Sequence, residues 1–151
     1  MNADKKQKGL GGCDIEELEE LVQNSDLDFV FDVQHAYEHD SSMKDYAQRL
    51  WDMMISSGKL VHLHASGETR ENKTQVNNHS LVHESTNSEV IVDFLTRNYQ
   101  AYPAPIILEG QSIGRTGNDL DAVKTIPLEE RAREARTRLW TEINYLKREL
   151  E

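Results

Sequence analysis

Apolar positions recur along this chain in two rhythms, one of three and four residues and one of short unbroken runs. Ile15, Leu18, Leu21 and Val22 form a helical stripe. Asp14 stands at its entrance with Glu17 three residues on, a capping-box pattern, and Asn24-Ser25-Asp26 closes it. A continuous apolar run over about 28–34 follows, which predicts a parallel strand covered on both faces. Ser41 or Ser42 is placed to cap a second helix that buries Met43, Tyr46, Ala47, Leu50 and Met54 and ends at Ser56-Ser57-Gly58. A second strand is predicted over 59–64, and a third helix over 88–98 with Val90, Ile91, Phe94 and Leu95 inward. Tyr102-Pro-Ala-Pro105 forces extended backbone into a third strand over 106–109. A helical turn is expected near Leu120–Val123. The last helix starts at Pro127, with Leu128, Ala132, Ala135, Leu139, Ile143, Leu146 and Leu150 along one heptad-like seam.

The order α-β-α-β-α-β-α predicts an α/β fold with a parallel sheet and crossover helices. Residues 1–12 read as a polar tail ending in Gly9-Leu-Gly-Gly12, and 13–151 as a single domain. Its one long connection, 65–87, exceeds the length at which a structureless loop is ordinary and is read as functional.

Composition narrows the classes. A hydrophobic share of 37% with no run near the ~20 residues of a membrane span excludes a transmembrane helix. The N-terminus lacks the apolar core of a signal peptide, and Cys13, the single cysteine, excludes an internal disulfide. Both point to a cytoplasmic protein. A net charge of −10 disfavours broad nucleic-acid binding, which needs Lys and Arg against phosphates.

Three strands carry ligand-type residues at or near their ends: Asp32 in Phe29-Val-Phe-Asp-Val-Gln-His-Ala-Tyr37, His62 in Leu60-Val-His-Leu-His64, and Glu109 in Pro105-Ile-Ile-Leu-Glu109. In parallel sheets, ligands sit beyond the carboxyl ends of strands. Buried carboxylates there are costly unless paired or metal-bound. Any one of these residues alone is as readily a solvated carboxylate or a satisfied histidine; three at equivalent places ask for a cation. Oxygen and imidazole donors suit Mn, Zn, Co, Fe or Mg. His64 shares a strand face with His62 and is read as a second ligand or, the favoured expectation, as a group that supports the ligand from behind. His35, three residues after Asp32, and His79 in the long connection are further candidates, His35 also for proton transfer. His83, Lys73 and Arg115 carry less information, and Gly110, Gly114 and Gly117 lack the setting of a nucleotide loop.

These segments resemble the xylose-isomerase-like TIM-barrel superfamily, which includes sugar isomerases and epimerases and endonuclease IV. Phe31-Asp-Val-Gln-His-Ala36 is similar to the family's Asp-x-x-His-Ala strand end, Val61-His-Leu-His-Ala-Ser66 to its His-Leu-x-x-Ser/Ala segment, and Ile106-Ile-Leu-Glu109 to its final Ile-Leu-Glu strand. The resemblance runs over roughly residues 10–109 and implies a partial TIM barrel: three βα units preceded by a helix. It implies Asp32, His62 and Glu109 as three of four ligands of a shared metal, with His35 and Glu109 in catalysis and His35 or His79 on a second ion. The fourth ligand, a Glu on the preceding strand, has no counterpart, which suggests the last units of a longer barrel.

The implied activity is isomerisation or epimerisation of a sugar or sugar phosphate. One metal polarises adjacent oxygens while carboxylates move protons, and one of those carboxylates is the absent Glu. An endonuclease-IV-like phosphodiesterase is the alternative. That branch has an Asp-x-His pair and a Gly-Glu-Gly turn where this chain has Val76-Asn-Asn-His79 and Val82-His-Glu84. A third expectation is a non-catalytic barrel fragment. In each case the open sheet is expected to need a homo-oligomer or the missing N-terminal barrel half.

Overall fold

Three short strands lie at the centre of this computed structural model, which describes residues 14–70, 76–110 and 125–151. They are β1 (Phe29–Asp32), β2 (Leu60–Ala65) and β5 (Ile106–Leu108), all parallel, in the order β1-β2-β5. The helices are α1 (Ile15–Asn24), α2 (Val33–His39), α3 (Tyr46–Ser56), α4 (Ser88–Tyr99) and α5 (Leu128–Leu150). The fold is therefore α/β, with five helices and a three-stranded parallel sheet among the described residues. No described helix is long and apolar enough to cross a membrane.

Side-chain alternation sorts the sheet into two faces. Phe29, Phe31, Leu63 and Ala65, with the partly buried Ile106 and Leu108, join the core beneath the helices. At its centre Phe31 stacks on Phe94 at 5.3 Å and meets Trp51 edge-on at 5.4 Å. Aromatic contacts of this kind contribute roughly 0.5–1.5 kcal/mol beyond burial. The opposite face carries Val30, Asp32, His62, His64 and Ile107, none of which belongs to that core.

The first strand is shorter than its apolar run. Asp32 ends it and becomes the N-cap of α2, its Oδ1 accepting the His35 N–H at 3.0 Å. The predicted strand residues Val33 and Gln34 are thus buried in a helix. Neither Ser41 nor Ser42 caps α3. Asp40 holds that entrance instead, its carboxylate accepting N–H groups from Ser42, Asp45 and Ala47. Gly58 closes α3 at φ 69°, as expected of a left-handed cap.

The 65–87 connection is not a structureless loop. It contains an antiparallel hairpin, β3 (Gly67–Arg70) with β4 (Val76–Ser80), and a 3₁₀ turn at Val82–Glu84. Its alternation is masked by polar residues: Glu68 is buried with its carboxylate on Arg70 at 2.6 Å, and Thr69 pairs with Ser80 through their hydroxyls.

The last helix docks by its C-terminal half. Glu142, fully buried, accepts N–H groups from Val82 at 2.7 Å and His83 at 3.0 Å, and meets His83 Nδ1 at 2.6 Å. Tyr145 meets Ser88, while Leu128 at the other end is 71% exposed. Cys13, Lys73, Arg115 and the turn expected near Leu120–Val123 lie outside the described residues.

Candidate metal centre

Strand pairing decides which histidine meets the carboxylates. A register shift between Phe29 and Val30 sets Val30 opposite His62 and Asp32 opposite His64. Beyond Leu108, the Glu109 N–H still donates to the Ala65 carbonyl at 3.0 Å, so Glu109 prolongs the ladder at the same end of the sheet. Asp32, His64 and Glu109 thereby offer ligand atoms that all lie within 4.8 Å of one another, a group that could hold a metal ion.

Their ligand atoms crowd together at one point. Asp32 Oδ2 lies 4.0 Å from His64 Nδ1, which is 2.7 Å from Glu109 Oε1. Yet Asp32 Oδ2, His64 Nδ1 and Glu109 Oε2 are buried atoms without a hydrogen-bond partner. The 2.7 Å approach therefore lacks hydrogen-bond geometry, as befits two ligands aimed at a common point. Leaving buried polar atoms unpaired costs about 1–3 kcal/mol each, and a cation would satisfy all three.

The structure groups His64, rather than His62, with the two carboxylates. His62 is not in the group; its Nε2 sits 3.1 Å from His64 Nε2. A proton between these two nitrogens, carried by His64, leaves His64 Nδ1 with its lone pair toward the carboxylates. With a metal on His64, His62 would fix its tautomer and ring orientation, as outer partners of metal-bound histidines do.

His35 and His79 flank the group without joining it. His35 Nε2 lies 3.8 Å from Asp32 Oδ2, and His79 Nδ1 lies 4.0 Å from Glu109 Oε2. Their rings face each other edge-on at 6.0 Å. The Glu38 carboxylate, 3.4 Å from His35 Nδ1, raises the His35 pKa above its ordinary value; burial opposes this, and the charges of Asp32, Glu38 and Glu109 add to the rise. His83 faces Glu142 rather than the group.

No family model, curated protein or solved structure matches this chain. The site is accordingly read from its own chemistry.

Sequence reasoning favoured His62 over His64 as the partner of Asp32 and Glu109, because the two histidines share a face and only the pairing register separates them. It missed Glu38 and Glu142. Both are acidic residues in helices, and no local signal distinguishes them from solvated surface charge.

Proposed function

We propose that this chain binds a divalent cation between Asp32, His64 and Glu109 and serves a metal-dependent sugar isomerase or epimerase of the xylose-isomerase-like type. The observation that carries this reading is the meeting of three buried ligand atoms without a hydrogen-bond partner at the ends of three adjacent parallel strands. Mn, Co, Zn, Fe or Mg suits two carboxylates and one imidazole. When bound, such an ion supplies Lewis-acid polarisation of adjacent sugar oxygens. The chain's own part is to hold the ligands rigidly, His64 through His62, and to offer His35 beside Asp32 as a hydrogen-bonding partner for a substrate oxygen. On this reading the face of the sheet opposite the core is a barrel interior that other strands complete, from a second copy or from further chain.

One observation favours the alternative. His35 and His79 meet edge-on beside the group, a pair suited to a second cation, and phosphodiester hydrolysis often uses two. The net charge of −10 weighs against a nucleic-acid substrate.

Calorimetric titration with Mn²⁺, Co²⁺ and Zn²⁺ tests the centre. Asp32→Ala, His64→Ala and Glu109→Ala should each abolish binding, whereas His62→Ala should weaken it by about 10- to 100-fold, as loss of an outer partner does. Wild-type protein that takes no cation, or unaltered binding in Glu109→Ala, removes the centre. Cation-dependent aldose–ketose interconversion followed by NMR supports the isomerase, and cleavage of abasic-site DNA would replace it with the nuclease.

A further inference from the structure

Asn87 occupies the N-cap position of α4 but makes no capping hydrogen bond to that helix. An Asn there ordinarily contributes about 1 kcal/mol by accepting an N–H of the first turn. Here its two amide atoms are turned elsewhere. Oδ1 accepts the Glu68 N–H at 2.9 Å, and Nδ2 donates to Gln34 Oε1 at 2.9 Å. Gln34, Glu68 and Asn87 are all buried, so no water competes for these bonds.

The same segment grips β3 at further points. The Thr86 N–H and hydroxyl donate to the Glu68 carbonyl at 2.7 and 2.8 Å. Gly67 leaves no room for a Cβ, which would overlap Ser85 Oγ and Asn87 Oδ1. At the other end of the network, Gln34 lies in the first turn of α2, between Asp32 and His35. The hairpin held in this way brings His79 from β4 to 4.0 Å from Glu109.

We infer that Asn87 is a positioning residue that fixes the β3–β4 hairpin against α2 and so sets His79 beside the Asp32–His64–Glu109 group. Its consequence for metal binding rests on the metal-centre reading; its consequence for His79 does not.

The experiment uses the full chain and two readouts. The first is NMR of the histidine rings in metal-free protein. Glu109→Gln should move the His79 resonances, and in an Asn87→Ala background that response should vanish, while His83, held by Glu142, keeps its shifts. The second is Co²⁺ titration followed by visible absorption. Asn87→Ala should weaken affinity on the order of tenfold and alter the band shape, as loss of supporting contacts does. Asn87→Asp keeps the acceptor for Glu68 and can take a bond from a turned Gln34 amide, so it should restore both readouts. If Asn87→Ala lacks the native circular dichroism spectrum, Gln34→Met removes one bond of the network and takes its place. An unchanged His79 response in the folded variant, or a wild-type His79 that ignores Glu109→Gln, overturns the inference. A wild type that takes no Co²⁺ overturns the metal centre and leaves the His79 response to decide on Asn87.

Discussion

The two oxygens of Asp32 serve different ends: Oδ1 caps α2 through the His35 N–H, while Oδ2 has no hydrogen-bond partner and faces His64. This division makes stability and binding separable. Asp32→Asn keeps a cap acceptor and should leave chemical denaturation within about 1 kcal/mol of wild type, the size of a capping contribution, while removing the anionic ligand and with it cation binding. Asp32→Ala should lose both. Equal destabilisation by the two variants would show that Oδ2, not the cap, carries the residue's structural role. Asp32 was legible as a site residue because an acidic residue ends a buried apolar run. Its partner was not, since His62 and His64 have the same parity along β2, and the register shift at Phe29/Val30 that chooses between them depends on long-range pairing.

Helices and strands were legible where apolar spacing is strong, as in α1, α4 and the parallel strands, and illegible where polar side chains replace it. Asp40 is the clearest case, lying five residues from Asp45 and folding back to receive its N–H at 2.8 Å. Burial pushes the Asp40 pKa up, but hydrogen bonds from Ser42, Asp45 and Ala47 outweigh it and hold the carboxyl below its ordinary 3.8. Because the folded value is the lower one, the stabilisation is fully present above about pH 4 and is lost as pH falls through the folded value. Asp40→Ala should therefore cost about 1–2 kcal/mol at pH 7, with the gap to wild type closing toward pH 2 in urea melts. A gap that stays constant down to pH 2 would refute the carboxylate's part. The hairpin was hidden for a similar reason, its buried positions including Glu68 and Ser80 rather than Val or Ile. Gly110 shows how closely β5 meets it: a Cβ there would stand 2.7 Å from Leu81 Cα and 2.8 Å from the Ser80 carbonyl. Gly110→Ala should shift backbone rather than a side-chain tip, at a cost of about 1–3 kcal/mol, with weaker cation binding as Glu109 moves.

Across the whole molecule, the core lies under one face of the sheet and the candidate site on the other. Parallel sheets are found almost only with both faces covered, yet here, among the described residues, Ile107 is 45% exposed on the face opposite the core, and β1 and β5 are both sheet edges. We expect a second copy to cover this face. Each chain carries a net charge of −10, so like charges oppose the contact while apolar burial drives it. Association should then strengthen between 50 and 500 mM salt, opposite to a contact held by ion pairs. Sedimentation velocity at increasing concentration should reveal species above the 17.3 kDa monomer, and Ile107→Lys should return them to monomer with an unchanged circular dichroism spectrum. The exposed end of α5 offers a rival surface through Leu128 and Trp140, 71% and 57% exposed. Dissociation by Leu128→Glu but not by Ile107→Lys would move the contact there, and a monomer at all salt concentrations would leave the open face without a protein partner of its own kind.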